Sequence, residues 1–265
     1  MYAFAEDWKL LDARQRHLVH AYAVADALGP AVALSHSSAA AVWAIDTYGL
    51  DPTLVHVTRL DGGAGRCEYG VVHHVGRIVT PEDVVEAGGR FVMRPLRCVI
   101  ESAMASSIES GVVLASSAMH NDHFQQAELI EHAGMFRRWQ GARHANIAYH
   151  LADGRVESPG EARSLHMFWK HAIPRPTLQF EVRRSSGLLV GRSDFAWEDF
   201  RHLGEFDGAI KYGRLNPDPS NPGAVITSEK TREDGMRDEV FGMSRWTWPD
   251  LDAERASATS RRISM

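Results

Sequence analysis

The sequence predicts an α/β protein in which a mixed helical and small-sheet N-terminal region precedes a C-terminal core of helix, three strands, helix and strand. Three observations support it: a capped helical segment, three short β-rich segments after it, and a second helical segment followed by a last strand. In chain order, the three strands, the second helix and the last strand span 178–184, 188–197, 201–207, 228–241 and 243–248.

The first helix of this core is predicted from Ser158 to about His171. Ser158 is a favourable N-cap residue, Pro159 suits the first helical turn, and Glu161 completes a capping-box pattern three residues after the cap. The proline-containing segment 173–176 ends the helix, because proline lacks the backbone N–H that a helix requires.

The region upstream of the core mixes helices with short strand candidates. Apolar residues at near-helical spacing predict a helix over 8–28, which Gly29 and Pro30 end. Strand candidates are 54–59 and 68–75, and further helical segments follow from Pro95. We therefore predict an N-terminal region at 1–152, a core domain at 153–252 and a disordered tail at 253–265.

The composition is that of an ordinary globular protein, with 44% apolar and 24% charged residues in a chain of 265. No segment approaches the ~18 apolar residues of a membrane span, and the charged N-terminus is unlike a secretory signal. Two distant cysteines, Cys67 and Cys98, argue against a disulfide framework and favour a cytoplasmic protein. The net charge of −5 counts against nucleic-acid binding, which usually needs a basic surface.

Carboxylates are concentrated on the hairpin formed by the second and third strands. A turn centred near Asp199 and Phe200 would place Asp194 directly opposite Glu205, with the two Cβ atoms ~5 Å apart. Asp207 lies two residues beyond Glu205, so the pleat directs it to the same face. The sequence therefore predicts three carboxylates on one patch, unless they form an ordinary solvated strand face.

Like charges in such a patch repel one another unless a cation lies among them. Mg²⁺ (or Mn²⁺) is the expected ion, because it takes one or two carboxylates and keeps positions for water and a phosphate. Asp194 and Glu205 are the predicted metal ligands, and Asp207 would assist them. A bound divalent cation activates water and offsets charge on a phosphodiester.

Three further side chains complete the predicted catalytic set. Glu161 would reach the metal or its water shell, although capping of its own helix explains the residue equally well. Lys211 or Lys230 would orient the attacking water or offset the developing phosphate charge. Lys211 is as easily an exposed loop lysine, and Lys230 is slightly better explained by an ion pair with Asp234 one turn later.

The histidines do not predict a metal site. His73 and His74 would point to opposite faces of a strand, and His120 and His123 lack a third ligand at a recognisable spacing. His36 lies among serines, where helix capping explains the pattern.

The segments GRSDFAW, GEFDGAIKY and EKTREDGMRDEVFGMSRWTWPDL resemble the PD-(D/E)XK nuclease superfamily, in the branch of very-short-patch-repair-like endonuclease domains. The resemblance covers roughly 155–250 and implies a restriction-endonuclease-like core. Upstream, MYAFAEDW, LSHSSAAAVW and VHVTR resemble actinobacterial proteins related to abortive-infection antitoxins. Those proteins typically carry an N-terminal winged helix, which we expect to be missing here.

The resemblance implies a Mg²⁺-dependent endonuclease that acts on DNA. One departure concerns the catalytic lysine of the family's Glu-x-Lys pattern, because position 207 is Asp. The chain would then depend on Lys211 or Lys230. The alternative is a non-catalytic antitoxin-like or regulatory protein that uses the nuclease fold as a scaffold for DNA or a toxin partner. The sequence leaves the oligomeric state open.

Overall fold

The computed structural model describes residues 5–77, 79–184, 186–208 and 241–263. The chain divides into two compact units, which we call the N-terminal unit (1–154) and the C-terminal unit (155–265). This division lies two residues after the predicted boundary. Both units combine helices with a mixed sheet, so the predicted α/β class is confirmed.

The N-terminal unit contains a six-stranded mixed sheet in the order β3-β4-β2-β1-β6-β5. Its strands are β1 (Val32–Leu34), β2 (Val55–Arg59), β3 (Arg66–Glu68), β4 (Val71–Val75), β5 (Val84–Ala87) and β6 (Arg90–Met93). Strand β2 runs parallel to β4, and β1 runs parallel to β6, whereas the remaining neighbours are antiparallel. The order therefore brings β2 and β4, which are separated in sequence by β3, side by side.

Seven helices among the described residues accompany this sheet. They are α1 (Ala5–Leu10), α2 (Ala13–Leu28), α3 (His36–Val42), α4 (Pro95–Met104), α5 (Ile108–His120), α6 (Gln126–Ala133) and α7 (Ala142–Leu151). Helix α5 is buried along most of its length, and its Gly111 lets α7 approach closely. A Cβ at Gly111 would lie 2.8 Å from the Cβ of Ala148.

The predicted helix over 8–28 is two helices. Asp12 ends the first segment because its side chain accepts a hydrogen bond from the backbone N–H of Gln15 at 2.8 Å. The Gln15 side chain in turn accepts from the backbone N–H of Asp12 at 2.9 Å. This reciprocal capping box makes Asp12 the N-cap of α2, so α2 begins as a separate helix.

The C-terminal unit contains a four-stranded sheet in the order β10-β9-β8-β7. Its described elements are α8 (Pro159–Lys170), β7 (Thr177–Arg183), β8 (Leu189–Trp197), β9 (His202–Asp207), β10 (Gly242–Thr247) and α9 (Ala253–Ile263). The pairs β7–β8 and β8–β9 are antiparallel, and β10 joins β9 in parallel. The four predicted strands and the helix that precedes them are confirmed. The predicted helix at 228–241 lies outside the described residues except for Phe241.

Aromatic side chains hold α8 against one face of this sheet. The ring of Phe168 on α8 makes edge contacts with Phe195, Trp197 and Trp246, at centroid distances of 5.1–5.7 Å. Trp246 is 1% exposed on the edge strand β10. Burying such large rings is the main favourable contribution available to a small sheet.

The prediction of a disordered tail at 253–265 was wrong for its described part. Residues Ala253–Ile263 form helix α9, whose buried side chains recur at helical spacing: Ala256, Thr259, Ser260 and Ile263. Thr259 Oγ1 also donates a hydrogen bond to the backbone carbonyl of Asp250 at 3.0 Å. The helix is amphipathic, but its buried face consists mainly of small and hydroxyl side chains, so the segment resembles a polar tail in sequence.

Candidate functional sites

The β8–β9 hairpin has the predicted register. Phe195 pairs with Gly204, and Trp197 pairs with His202, on either side of a short 3₁₀ turn at 198–200. Extending this register by one position places Asp194 opposite Glu205, as the sequence predicted.

The two carboxylates belong to a longer row of polar side chains that crosses the whole sheet. On β7, Leu178 pairs with Phe195 and Phe180 pairs with Ser193, so the intervening Gln179 stands across from Asp194. On β10, Arg245 pairs with Glu205. We call Gln179, Asp194, Glu205 and Arg245 the polar row. Each strand of the sheet contributes one residue to it.

Asp194 and Glu205 have different partners within this row. Asp194 Oδ2 accepts a hydrogen bond from the backbone N–H of Phe206 at 2.9 Å. Glu205 Oε2 accepts from Arg245 Nη2 at 2.7 Å, and Glu205 is only 8% exposed. The guanidinium of Arg245 is partly exposed and offsets the negative charge that two neighbouring carboxylates place on the sheet.

Glu161 performs the capping role and also approaches the polar row. Its two carboxylate oxygens accept hydrogen bonds from Ser158 Oγ at 2.7 Å and from the backbone N–H of Glu157 at 2.9 Å. Glu161 Oε2 also accepts from Gln179 Nε2 at 3.0 Å. The structure therefore connects Glu161 to the row through Gln179, a residue that was not predicted as part of the site.

Gln179 was detectable in principle because β7 and β8 were both predicted. The register of that pair, however, depends on the loop between the strands, whose conformation the sequence pattern does not fix. Gln179 also has a left-handed backbone conformation, with φ of 53°. Non-glycine residues rarely adopt this conformation, which six other described non-glycine residues share.

Asp207 lies on β9 two residues beyond Glu205, so the pleat directs it to the same face of the sheet. Asp207 pairs with Thr247 at the end of β9. A strand rises ~3.3 Å per residue, so Asp207 lies roughly 7 Å along β9 from Glu205. Within the described ranges, the three carboxylates are not a set whose ligand atoms all lie within 4.8 Å of one another. Lys211 and Lys230 lie outside the described residues.

A different cluster, in the N-terminal unit, does bring three candidate ligands together. His36, His56 and His74 each present a ring nitrogen, and these atoms all lie within 4.8 Å of one another. The His36 and His74 rings are stacked with centroids 3.6 Å apart, and His56 Nδ1 lies 2.9 Å from His74 Nε2. We call these three residues the histidine cluster.

The sequence did not predict the histidine cluster because its members are far apart in the chain. His73 and His74 do lie on one strand, β4, but only His74 faces His36 and His56. The parallel pairing of β2 with β4 brings the strand histidines together, because His74 pairs with Thr58, two residues from His56. Two short strand candidates alone do not reveal that they pair in parallel.

The three imidazoles are held in the neutral form. Burial lowers the pKa of His36 well below its usual value, and the neighbouring His74 and His56 lower it further. Burial also lowers the pKa of His56 and of His74 to about 4, with further lowering from His17 and from His56 respectively. A neutral imidazole is the form that binds metal ions.

Comparison of the chain with protein-family models, curated proteins and solved structures finds no match. The resemblance to PD-(D/E)XK nucleases therefore stays a prediction. Across the described ranges, no helix has both the length and the apolar character needed to cross a membrane.

Proposed function

We propose that the C-terminal unit is a restriction-endonuclease-like domain that hydrolyses DNA phosphodiesters with Mg²⁺ or Mn²⁺. What supports the proposal is the register of β8 against β9, because extending it by one position puts Asp194 opposite Glu205. The order of elements supports it: a capped helix, three antiparallel strands, and a fourth strand parallel to the third.

The donor atoms at this position fit a hard divalent cation. Carboxylate oxygens from Asp194 and Glu205 would supply one or two ligands, which is the number that Mg²⁺ usually takes from a protein. When bound, such an ion lowers the pKa of a coordinated water and offsets charge on the phosphate. The histidine cluster offers nitrogen ligands instead and does not match this preference.

The remaining residues of the row would position the substrate. Arg245 places a partly exposed guanidinium beside Glu205, where it is able to bind a phosphate oxygen through two N–H groups. Glu161 holds the amide of Gln179 in place on the other side of Asp194. Asp207, Lys211 and Lys230 retain the assisting roles predicted for them, with either lysine supplying the charge that the family's Glu-x-Lys position lacks.

The alternative function is non-catalytic binding of DNA or of a toxin partner. The ion pair between Glu205 and Arg245 favours it, because a carboxylate already paired at 2.7 Å needs no cation. The hydrogen bonds of Glu161 to its own helix cap favour it as well. Both functions place the protein in the cytoplasm, in agreement with two cysteines that form no disulfide.

The deciding experiment compares Asp194→Asn and Glu205→Gln with the control Asp199→Asn. Asp199 lies in the turn of the same hairpin and is exposed, so its substitution removes the same charge outside the row. We would measure Mg²⁺ and Mn²⁺ binding by calorimetry and cleavage of a labelled duplex, after circular dichroism has verified the fold.

The proposal predicts binding and cleavage in the wild type and in Asp199→Asn, and loss of both in the two row variants. Unchanged cleavage in Asp194→Asn would refute it. Duplex binding without metal binding or cleavage, equal in all four proteins, would establish the non-catalytic alternative.

A further inference from the structure

We propose that His36, His56 and His74 bind a divalent transition-metal ion of the Zn²⁺ class in the N-terminal unit. The site is separate in sequence and in ligand chemistry from the carboxylates of the C-terminal unit. It would take an ion that prefers imidazole nitrogen, such as Zn²⁺, Co²⁺ or Ni²⁺, over the oxygen-seeking Mg²⁺.

Three different elements bring the ligands together. His36 is the first residue of α3, His56 lies on β2, and His74 lies on β4. The parallel pairing of β2 with β4 fixes the separation of the two strand histidines. Because the residues lie on regular elements, little rearrangement is needed to keep them near one another.

The separations suit a shared ion. Two imidazoles on one tetrahedral Zn²⁺, with Zn–N distances near ~2.05 Å, have nitrogen atoms about 3.3 Å apart. His56 Nδ1 and His74 Nε2 are 2.9 Å apart, which is a hydrogen-bond distance, so ion binding requires the two rings to separate by a few tenths of an ångström and to turn both lone pairs toward the ion. The His36 ring is stacked on that of His74 at 15° from parallel, so it must tilt to direct at the same ion its ligand nitrogen, which lies within 4.8 Å of the other two.

A serine hydroxyl and a buried carboxylate both lie near Nδ1 of His36. Ser35 Oγ is the hydrogen-bond partner of this nitrogen, at 3.0 Å. Glu101 Oε2 lies 3.6 Å from His36 Nδ1, is buried, and has no hydrogen-bond partner among the described residues. Arg97 Nε donates to the other oxygen of Glu101 at 2.8 Å and fixes its orientation. A hydrogen bond at one ring nitrogen orients a metal-binding histidine and leaves the other nitrogen for the ion, and the nearby negative charge of Glu101 makes the ring a stronger ligand.

Two further observations support a site over simple ring stacking. His36 has a left-handed backbone, with φ of 48°, which the surrounding structure has to impose on a non-glycine residue. His56 and His74 are half-buried, whereas His36 is buried. The cluster therefore has a closed side, where Glu101 lies, and a more open side where water could complete the coordination of an ion held by three histidines.

The test uses the full chain, stripped with a chelator and titrated with Zn²⁺ by calorimetry and with Co²⁺ by visible absorption. We expect one Zn²⁺ per chain, a visible Co²⁺ spectrum typical of low coordination number, and no competition by Mg²⁺. His56→Gln and His74→Gln should weaken binding at least about 100-fold, and Glu101→Gln about tenfold. Glu101→Gln leaves all three ligands in place, so it remains informative if a histidine variant folds poorly.

Three controls separate this site from other Zn²⁺-binding groups. His144→Gln removes an exposed histidine of the same unit, and Cys67→Ser removes the exposed thiol. Both should bind Zn²⁺ as the wild type does. The Asp194→Asn, Glu205→Gln double variant should also retain it, so failure of the nuclease proposal leaves this result intact. The proposal would be overturned if the wild type binds no Zn²⁺, or if His56→Gln and His74→Gln bind Zn²⁺ as tightly as the wild type does.

Discussion

Trp246 Nε1 donates a hydrogen bond to Ser164 Oγ at 2.8 Å, and this buried contact links the edge strand β10 to helix α8. Ser164 Oγ in turn donates to the backbone carbonyl of Gly160 at 2.8 Å. The hydroxyl thus connects a strand late in the chain to the first turn of a helix some 80 residues earlier. The same hydroxyl satisfies the indole N–H of Trp246, which is the largest fully buried side chain among the described residues.

Ser164→Ala should destabilise the C-terminal unit by about 1–3 kcal/mol, because it leaves the indole N–H of Trp246 buried without its partner. Urea denaturation followed by tryptophan fluorescence measures the change. Ser186→Ala, on an exposed loop of the same unit, is the control and should leave the unfolding free energy unchanged. Equal midpoints for the two variants would show that the hydrogen bond contributes nothing.

Gly160→Ala should be more disruptive than an ordinary helix substitution. A Cβ at position 160 would overlap the ring of Phe206, which neighbours Glu205 on β9. Forcing the ring aside costs about 1–3 kcal/mol, and we expect any metal binding at Glu205 to weaken with it. Gly134→Ala is the control, since a Cβ there meets nothing within 4 Å. Thermal unfolding of both variants tests this prediction. A Gly160→Ala protein as stable as Gly134→Ala would show that the Phe206 ring moves aside without cost.

The ion pair between Glu205 and Arg245 should be worth more than a surface pair. The same sheet offers a matched comparison in Glu181 and Arg183, which are also 2.7 Å apart but half exposed on both sides. Exposed pairs contribute about 0.2–1 kcal/mol. A double-mutant cycle with Glu205→Gln and Arg245→Met should give a larger coupling energy than one with Glu181→Gln and Arg183→Met. A smaller coupling would mean that partial burial does not strengthen the pair.

Gln179 allows its backbone strain to be separated from its side-chain contact. Gln179→Ala and Gln179→Gly both remove the amide that donates to Glu161. Only glycine relieves the left-handed backbone, whose cost for an L-residue is about 1–2 kcal/mol. Gln179→Gly should therefore unfold at a higher urea concentration than Gln179→Ala. The reverse order would show that the backbone is unstrained.

The sequence predicted the C-terminal sheet well because its signals are local. Ser158 caps α8, alternation marks the strands, and a short turn fixes the register of Asp194 against Glu205. Helix α9 was missed because Ala256, Thr259 and Ser260 are buried without being strongly hydrophobic. Burial of small side chains depends on what packs against them, which a single chain does not reveal.

The histidine cluster and the position of Gln179 were not predicted, because both depend on contacts between segments that are distant in the sequence. His36 and His74 are 38 positions apart, and their stacking depends on a parallel strand pair whose partner choice is set by the whole sheet. Gln179 reaches the polar row only through the β7–β8 register. Long-range pairing is decided by the packing of complete elements, so these contacts emerge only in three dimensions.

Asp194 would serve two separate purposes, because it also accepts a hydrogen bond from the backbone N–H of Phe206. One is the negative charge that a nuclease would use, and the other is a side-chain oxygen that closes the hairpin where backbone pairing stops. Asparagine would satisfy the second requirement and fail the first. If the proposed nuclease function is correct, exchange of this aspartate for asparagine would remove the charge and keep the hairpin hydrogen bond, so a loss of activity at this position would leave the fold unchanged.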